Sequence, residues 1–383
     1  MTITIVCDVL GKENNGTTIS AMNLIRYLKG KGHTVRVLCS DQEKAGQEGY
    51  YIVPNRNFWI FNNYVAKNGV ALAKPVNSTI TQAIKDSDII HIMMPFSLGR
   101  ASAKIAKAMN KPVSAGFHVL AENFSSHIFM KDNPLVNFLT YVHFSRLYRH
   151  CDAIHYPTQY VRELYERLFG KTNGYVISNG VNEIFKPLNL QDAGEKINIL
   201  YTGRDSKEKS HRVLIKAVKR SAYKDRIQLI FAGDGPLKKK LIWQSRKLPN
   251  KPVFRFFSRD EMVKIINSAY IYVHAAEIEA EGIGCLEAIS CGVVPLISDS
   301  KKSATKYYAI DDKSLFKHNS PKDLAKKIDW WIEHPGIKRQ YSEKYLKLAD
   351  KNLNLTSCMK KIEEMLIKTI EEYGTPEKHS QEG

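Results

Sequence analysis

Short apolar runs alternate with stretches of helical periodicity through most of the chain. Residues 2–8, 34–39, 89–93, 112–117 and 153–157 are rich in branched and aromatic side chains, as expected of strands buried on both faces of a parallel sheet. Between them, residues 20–30, 78–86, 100–109 and 160–169 repeat apolar positions at helical spacing, which predicts crossover helices. A second set of strands is predicted at 197–202, 227–232, 253–257, 271–274 and 293–297. The whole is α/β, with two Rossmann-like, doubly wound domains. Pro187, Asn189 and Gly194 interrupt any periodicity between the two sets, so residues 1–182 form the first expected domain, 183–196 a linker and 197–352 the second domain. Helical patterns at 321–334, 337–349 and 353–372 follow, and the polar end, 374–383, is expected to be disordered.

Composition narrows the setting. A chain of 383 residues with 43% hydrophobic content can bury two cores of ordinary size. No stretch approaches the roughly 18 consecutive apolar residues of a spanning helix, and the N-terminus enters a strand without a signal-like pattern, so a cytoplasmic location is expected. Six scattered cysteines (7, 39, 151, 285, 291 and 358) form no C-x-x-C pair and no zinc spacing, which fits free thiols in a reducing compartment. The formal charge of +18 has two readings. One is a polyanionic partner: nucleic acid, a teichoic-type polymer or the anionic face of a membrane. The other is a general excess of lysine. No zinc-finger spacing, RNP-like aromatic run or basic heptad region is present, so no nucleic-acid partner is expected.

Candidate chemistry concentrates in one loop. Glu279 and Glu287 bracket seven residues, with Gly282, Ile283 and Gly284 just ahead of a helix-like segment at 285–291. Glycines let backbone amides approach a ligand, and a helix N-terminus attracts an anion such as a diphosphate. Two glutamates near a helix start also read as a cap and a solvated face. His118 follows another predicted strand, 112–117, at the carboxyl end where doubly wound sheets place ligands. Asp86 and Asp88 superficially form a metal-binding D-x-D, but they precede the strand at 89–93 and so sit at its amino end, away from such a site.

The spacing of Glu279 and Glu287 resembles the E-x7-E signature of the retaining nucleotide-sugar glycosyltransferases of family four. The resemblance extends to Asn15-Gly16 in the first strand-to-helix turn, Asn179-Gly180-Val181 at a domain junction, Gly203-Arg204 with Lys209, and Gly233-Asp234-Gly235-Pro236. It departs at Ala280-Glu281-Gly282, where the family commonly has Gly-Phe-Gly. The resemblance implies a GT-B fold, two such domains facing across a cleft, with the last helix, 353–373, returning to the first domain. It implies catalytic roles for His118, Glu279, Arg204 and Lys209, and donor contacts for Asn15, Gly16, Gly233, Gly282, Ile283, Gly284 and Glu287. The donor is a nucleotide-diphosphate sugar, with UDP expected, bound as a substrate. No cofactor and no metal are expected, since Arg204, Lys209 and the helix N-terminus supply counter-charge, and same-face attack is expected over double displacement.

The acceptor is the open question. Residues 129–150 interleave large apolar and aromatic side chains with Lys131, Arg146 and Arg149, a composition that suits an interfacial helix and equally suits packing against its own domain. Glu122, Asn123 and His127 are candidates for the acceptor side, and residues 56–61 add a second aromatic and basic patch. The chain is also similar to bacterial enzymes that glucosylate diacylglycerol. Three functions follow: a glycolipid-forming glucosyltransferase peripheral at the inner face of the cell membrane, a transferase acting on a capsule, wall or other saccharide precursor, and a non-catalytic nucleotide-sugar or polyanion-binding protein. Oligomeric state is not legible.

Overall fold

The structure, a computed structural model, describes residues 1–8, 10, 16–57, 72–126, 132–188 and 196–374. Its contacts divide the chain into two units, Met1–Asn179 with Thr356–Gly383, and Gly180–Leu355.

In the first unit, β1 (Thr2–Val6), β2 (Thr34–Cys39), β3 (Tyr50–Ile52), β4 (Ile89–Ile92), β5 (Val113–Gly116), β6 (Ala153–Tyr156) and β7 (Gly174–Val176) form one sheet in the order β3-β2-β1-β4-β5-β6-β7. Every pairing is parallel. The order turns outward in both directions from β1 and β4, which makes the sheet doubly wound and puts its switch point between them. β4, β5 and β6 are buried along their whole length, which is why they read as continuous apolar runs. β3 and β7 are three-residue edge strands with exposed or half-buried positions, so they carry no such pattern and sequence reading missed them. The helix Pro134–Tyr148 starts where its sequence says it should: Pro134 occupies the first turn, and the Asn133 side chain accepts from the amides of Leu135 and Val136. Residues 127–131, 58–71 and 375–383 lie outside the described residues, as do the expectations that fall on them.

The second unit repeats the plan. β8 (Ile197–Thr202), β9 (Ile227–Ala232), β10 (Val253–Arg255), β11 (Ile271–His274), β13 (Pro295–Ser298) and β15 (Leu315–Phe316) run in the order β10-β9-β8-β11-β13-β15, and β12 (Ile278–Glu279) pairs with β14 (Lys302–Ser303) alone. Val181 and Phe185 are buried in this unit's core, and Val181 exchanges backbone hydrogen bonds with Leu353 and Leu355. The stretch read as a linker therefore begins inside the second unit, and its residues 189–195 lie outside the described residues. No disulfide links any of the six cysteines. Among the described residues, no helix is long and apolar enough to cross a membrane.

The helix Leu355–Tyr373 groups, from Thr356 onward, with the first unit. Met359, Ile362, Met365 and Leu366 are buried, and Glu363 accepts from the Tyr27 hydroxyl (2.8 Å) and pairs with His33 Nε2 (2.6 Å). Burial pushes the Glu363 carboxyl up, but the hydrogen bonds from His33 and Tyr27 and the charge of His33 more than reverse this and hold it below its ordinary range. Charged hydrogen bonds of this kind contribute roughly 1.5–3 kcal/mol. Glu363→Ala is expected to lower stability by about that amount, with the largest loss of amide-exchange protection in residues 355–373. Unchanged protection there would show that the apolar face alone holds the helix.

Candidate functional site

The second unit brings two of the predicted side chains into contact. β8 ends at Thr202, and Gly203 and Arg204 open a loop that carries Lys209. The neighbouring strand, β11, ends at His274 and leads through β12 to Glu279. Lys209 Nζ donates to Glu279 Oε2, with only 20% and 17% of the two side chains exposed. The loops are stitched together behind the pair: the Tyr201 hydroxyl donates to Lys209 O (2.6 Å), and the Glu277 amide donates to Glu208 O (2.8 Å). Burial pushes the Glu279 carboxyl up, but the Lys209 ammonium, then His274, hold it below the usual carboxylate range. Burial likewise pushes Lys209 down, and Glu279 more than restores it. Both groups are therefore charged.

His274 Nε2 lies 3.7 Å from Glu279 Oε2 and 3.3 Å from Thr305 Oγ1. Thr305 spends its own proton on Glu281 O (2.9 Å), so it accepts from His274, and the ring carries its hydrogen on Nε2. Burial lowers His274 to about 4, which keeps it neutral.

The helix Ile283–Ser290 begins at Gly282, whose φ of 91° suits glycine and whose missing Cβ makes room for Thr305. A Cβ on Gly284 would strike Thr202 Oγ1, which is hydrogen-bonded to Tyr272 (2.8 Å), and a Cβ on Gly233 would strike the Gly203 carbonyl. These glycines thus let the loops close on one another. Ile283 and Arg204 are half-buried. Burial raises Glu287 to about 7, against a smaller downward pull from Arg259.

The first unit holds the remaining predicted residues. His118 is half-buried beyond β5, and Gly116 lacks the Cβ that would displace its ring. The His155 ring stands edge-on to it at 5.4 Å, and His155 Nε2 donates to Ile177 O (2.6 Å). Burial, and then His155 and His91, drive His118 well below its ordinary value, so it is neutral. Glu122 accepts from the Tyr141 hydroxyl (2.7 Å), which ties its helix to Pro134–Tyr148. Arg146 and Arg149 are exposed, and Gly16 is the exposed first residue of Gly16–Gly30. Asn15, His127 and Lys131 lie outside the described residues. Asp88 accepts from the Thr2 amide and Asp86 pairs with Arg36, both just ahead of the amino end of β4. Among the described residues, no cluster of three or more His, Cys, Asp or Glu is placed to hold a metal ion.

Residues 183–348 match the family Glycosyl transferases group 1, and residues 14–184 match Glycosyltransferase Family 4. The chain belongs to the GT-B glycosyltransferases of these families. This glycosyltransferase is 26% identical to Protein CapJ of Staphylococcus aureus over 309 residues, 78% of this chain and 75% of that protein. It is 25% identical to the alpha-monoglucosyldiacylglycerol synthase of Streptococcus pneumoniae over 322 residues, 78% and 71% of the two. In fold it is similar to Anabaena HepE, solved in complex with UDP and glucose, at a TM-score of 0.77 and 15% identity, covering 96% of this chain and all of that one. The enzyme transfers a sugar from a nucleotide-sugar donor.

Sequence reading of the glycosyltransferase missed His274 and Arg259. His274 was findable by the rule that singled out His118, since it too stands at the carboxyl end of a buried parallel strand. Arg259 carries no motif, and only the packing of its helix brings its charge to bear on Glu287. The raised Glu287 has a measurable consequence. An acid whose folded-state pKa is raised holds its proton more tightly folded than unfolded, so its effect on stability becomes unfavourable as pH rises from 4.5 to about 7. Glu287→Gln, which cannot ionise, is expected to gain stability relative to wild type between about pH 5 and about pH 8. Denaturant midpoints that shift in parallel across this range would refute the raised value.

Proposed function

We propose that this glycosyltransferase moves glucose from UDP-glucose to the hydroxyl of a membrane lipid such as diacylglycerol, with retention of configuration and without a metal ion. The observation that carries this reading is the Lys209–Glu279 pair, which follows the carboxyl ends of two neighbouring strands and lies one short loop ahead of a helix N-terminus. An ammonium has three donors, and Glu279 takes one, which leaves two for phosphate oxygens. Glu279, kept ionised, accepts hydrogen bonds from sugar hydroxyls, and Glu287 accepts from the ribose. Arg204 and the amides at Ile283 and Gly284 add positive charge to the same diphosphate. Gly233 keeps the floor of this loop cluster low, since a Cβ there would strike the Gly203 carbonyl.

As the bond between the anomeric carbon and the phosphate oxygen breaks, negative charge grows on the leaving diphosphate, and Lys209 and Arg204 stabilise that charge more than the ground state. The acceptor oxygen attacks the same face, and its proton passes to the departing phosphate oxygen. Neutral His118 hydrogen-bonds the sugar, and Glu122 borders the acceptor. The donor follows UDP and glucose in HepE, and the lipid acceptor follows the name of the streptococcal relative.

The exposed face of Pro134–Tyr148 supports the lipid. Tyr141, Phe144, Leu147 and Tyr148 are buried, whereas Leu135, Phe138 and Leu139 are 65%, 46% and 56% exposed, with Arg146 and Arg149 exposed beyond them. One face of this helix packs against its own unit, and the exposed face suits the proposed peripheral location at the inner face of the cell membrane.

A screen of labelled nucleotide sugars against lipid and oligosaccharide acceptors tests the proposal, with UDP-glucose and diacylglycerol expected as the productive pair. Lys209→Ala and Glu279→Gln are each expected to lower turnover at least roughly a hundredfold with the fold intact. Near-wild-type turnover at saturating donor would remove that residue from the site.

Each basic residue near an anionic surface contributes about 1 kcal/mol, screened by salt. Arg146→Glu with Arg149→Glu is therefore expected to weaken vesicle binding and lipid glycosylation while donor hydrolysis persists. Loss of neither would move the acceptor to a saccharide.

A further inference from the structure

We infer that the second unit carries a membrane-binding surface of its own, centred on Trp243 in the helix Lys238–Ser245. The inference rests on the membrane reading proposed above. Leu241, Ser245 and Leu248, at helical spacing, are buried. The opposite stripe, Lys239, Ile242, Trp243 and Arg246, faces water, with Ile242 48% and Trp243 63% exposed. An indole and a branched aliphatic chain left outside a packed helix, side by side, are not accounted for by the unit's own core. The Arg246 guanidinium lies 4.1 Å from the Trp243 ring centre, yet most of the ring stays exposed.

Charge decides what fits this stripe. Residues 237–252 contain six basic residues (Lys238, Lys239, Lys240, Arg246, Lys247 and Lys251) and no acidic one. Lys238 is drawn to Asp234 (3.5 Å), and the other five are exposed. A second copy of the chain, meeting this face with the same face, would bring like charges together, which disfavours a symmetric dimer. An anionic bilayer matches both features. Its headgroups meet the ring of cations, and Trp243 and Ile242 enter the boundary with the acyl chains, where tryptophan is favoured. The chain runs from this helix into the edge strand β10, where Val253 is 40% exposed, and Phe256 just beyond is 61% exposed.

The full-length protein can be titrated with vesicles of phosphatidylglycerol and phosphatidylcholine, some carrying brominated acyl chains, with pure phosphatidylcholine as the neutral control. Contact with brominated chains is expected to quench tryptophan fluorescence on anionic vesicles, and Trp243→Phe is expected to remove most of that quenching. Lys239→Glu with Lys240→Glu is expected to weaken partitioning at least about tenfold. Because all three positions are exposed, these variants should fold as wild type, which circular dichroism checks. If wild type binds anionic vesicles but Trp243→Phe keeps the quenching and the lysine variant binds normally, the inference fails, and the membrane reading survives on the first unit. If wild type binds no vesicle, both fail. Binding of heparin with no binding of vesicles would make the patch a site for a soluble polyanion and overturn the inference.

Discussion

Holding an ammonium against a carboxylate with about a fifth of each side chain exposed is costly, because each ion gives up hydration that only good geometry returns. Much of the second unit's architecture around Lys209 and Glu279 supplies that geometry. The two residues are 70 positions apart in sequence, on loops after adjacent parallel strands. The Tyr201 hydroxyl fixes one loop at Lys209 O, the backbone link from Glu277 to Glu208 O ties it to the other, and Ser300 Oγ holds Glu277 O (2.6 Å). Substituting any of the close-packed glycines at 233, 282 or 284 would push these loops apart.

Glu279 and Glu287, eight positions apart, are driven in opposite directions. Glu279 faces a lysine and a histidine and is held ionised, whereas burial outweighs the pull of Arg259 and raises Glu287 to about 7. Both charges bear on the buried Tyr272 hydroxyl, which in turn bonds Thr202 beneath Gly284. Carboxylates in one loop whose environments drive their proton affinities apart recur at sites that handle ligands.

The parallel strands were legible because burial on both faces leaves an apolar run that polar helices interrupt. Residues 197–202, 227–232 and 271–274 coincide with β8, β9 and β11. Boundaries drifted where a strand runs on into its functional loop, as at residues 7–8 after β1 and residue 117 after β5, since those side chains are buried without belonging to the ladder. β12 and β14 were illegible because two-residue strands carry no period. In the site, motif spacing pointed to Lys209 and Glu279, but no one-dimensional pattern could pair them. The motif reading of the glycines as places of close ligand approach also left out their packing partners, Thr305, Thr202 and the Gly203 carbonyl, which are remote in sequence.

Surface helices mark the other limit. The patterns of Pro134–Tyr148 and Lys238–Ser245 each contain more apolar residues than one face can bury, so periodicity cannot say which of them meet the core. Packing resolves it: Phe144 and Leu147 are covered in one and Leu241 in the other, while Phe138, Leu139, Ile242 and Trp243 remain exposed. The surplus lies next to basic side chains in both helices rather than being scattered. A general excess of lysine would raise the charge everywhere, but it would not leave large apolar side chains uncovered beside it. Composition alone could not separate those two readings of the +18 charge. The pairing of exposed apolar and cationic groups favours an anionic, partly apolar partner over a uniformly basic background.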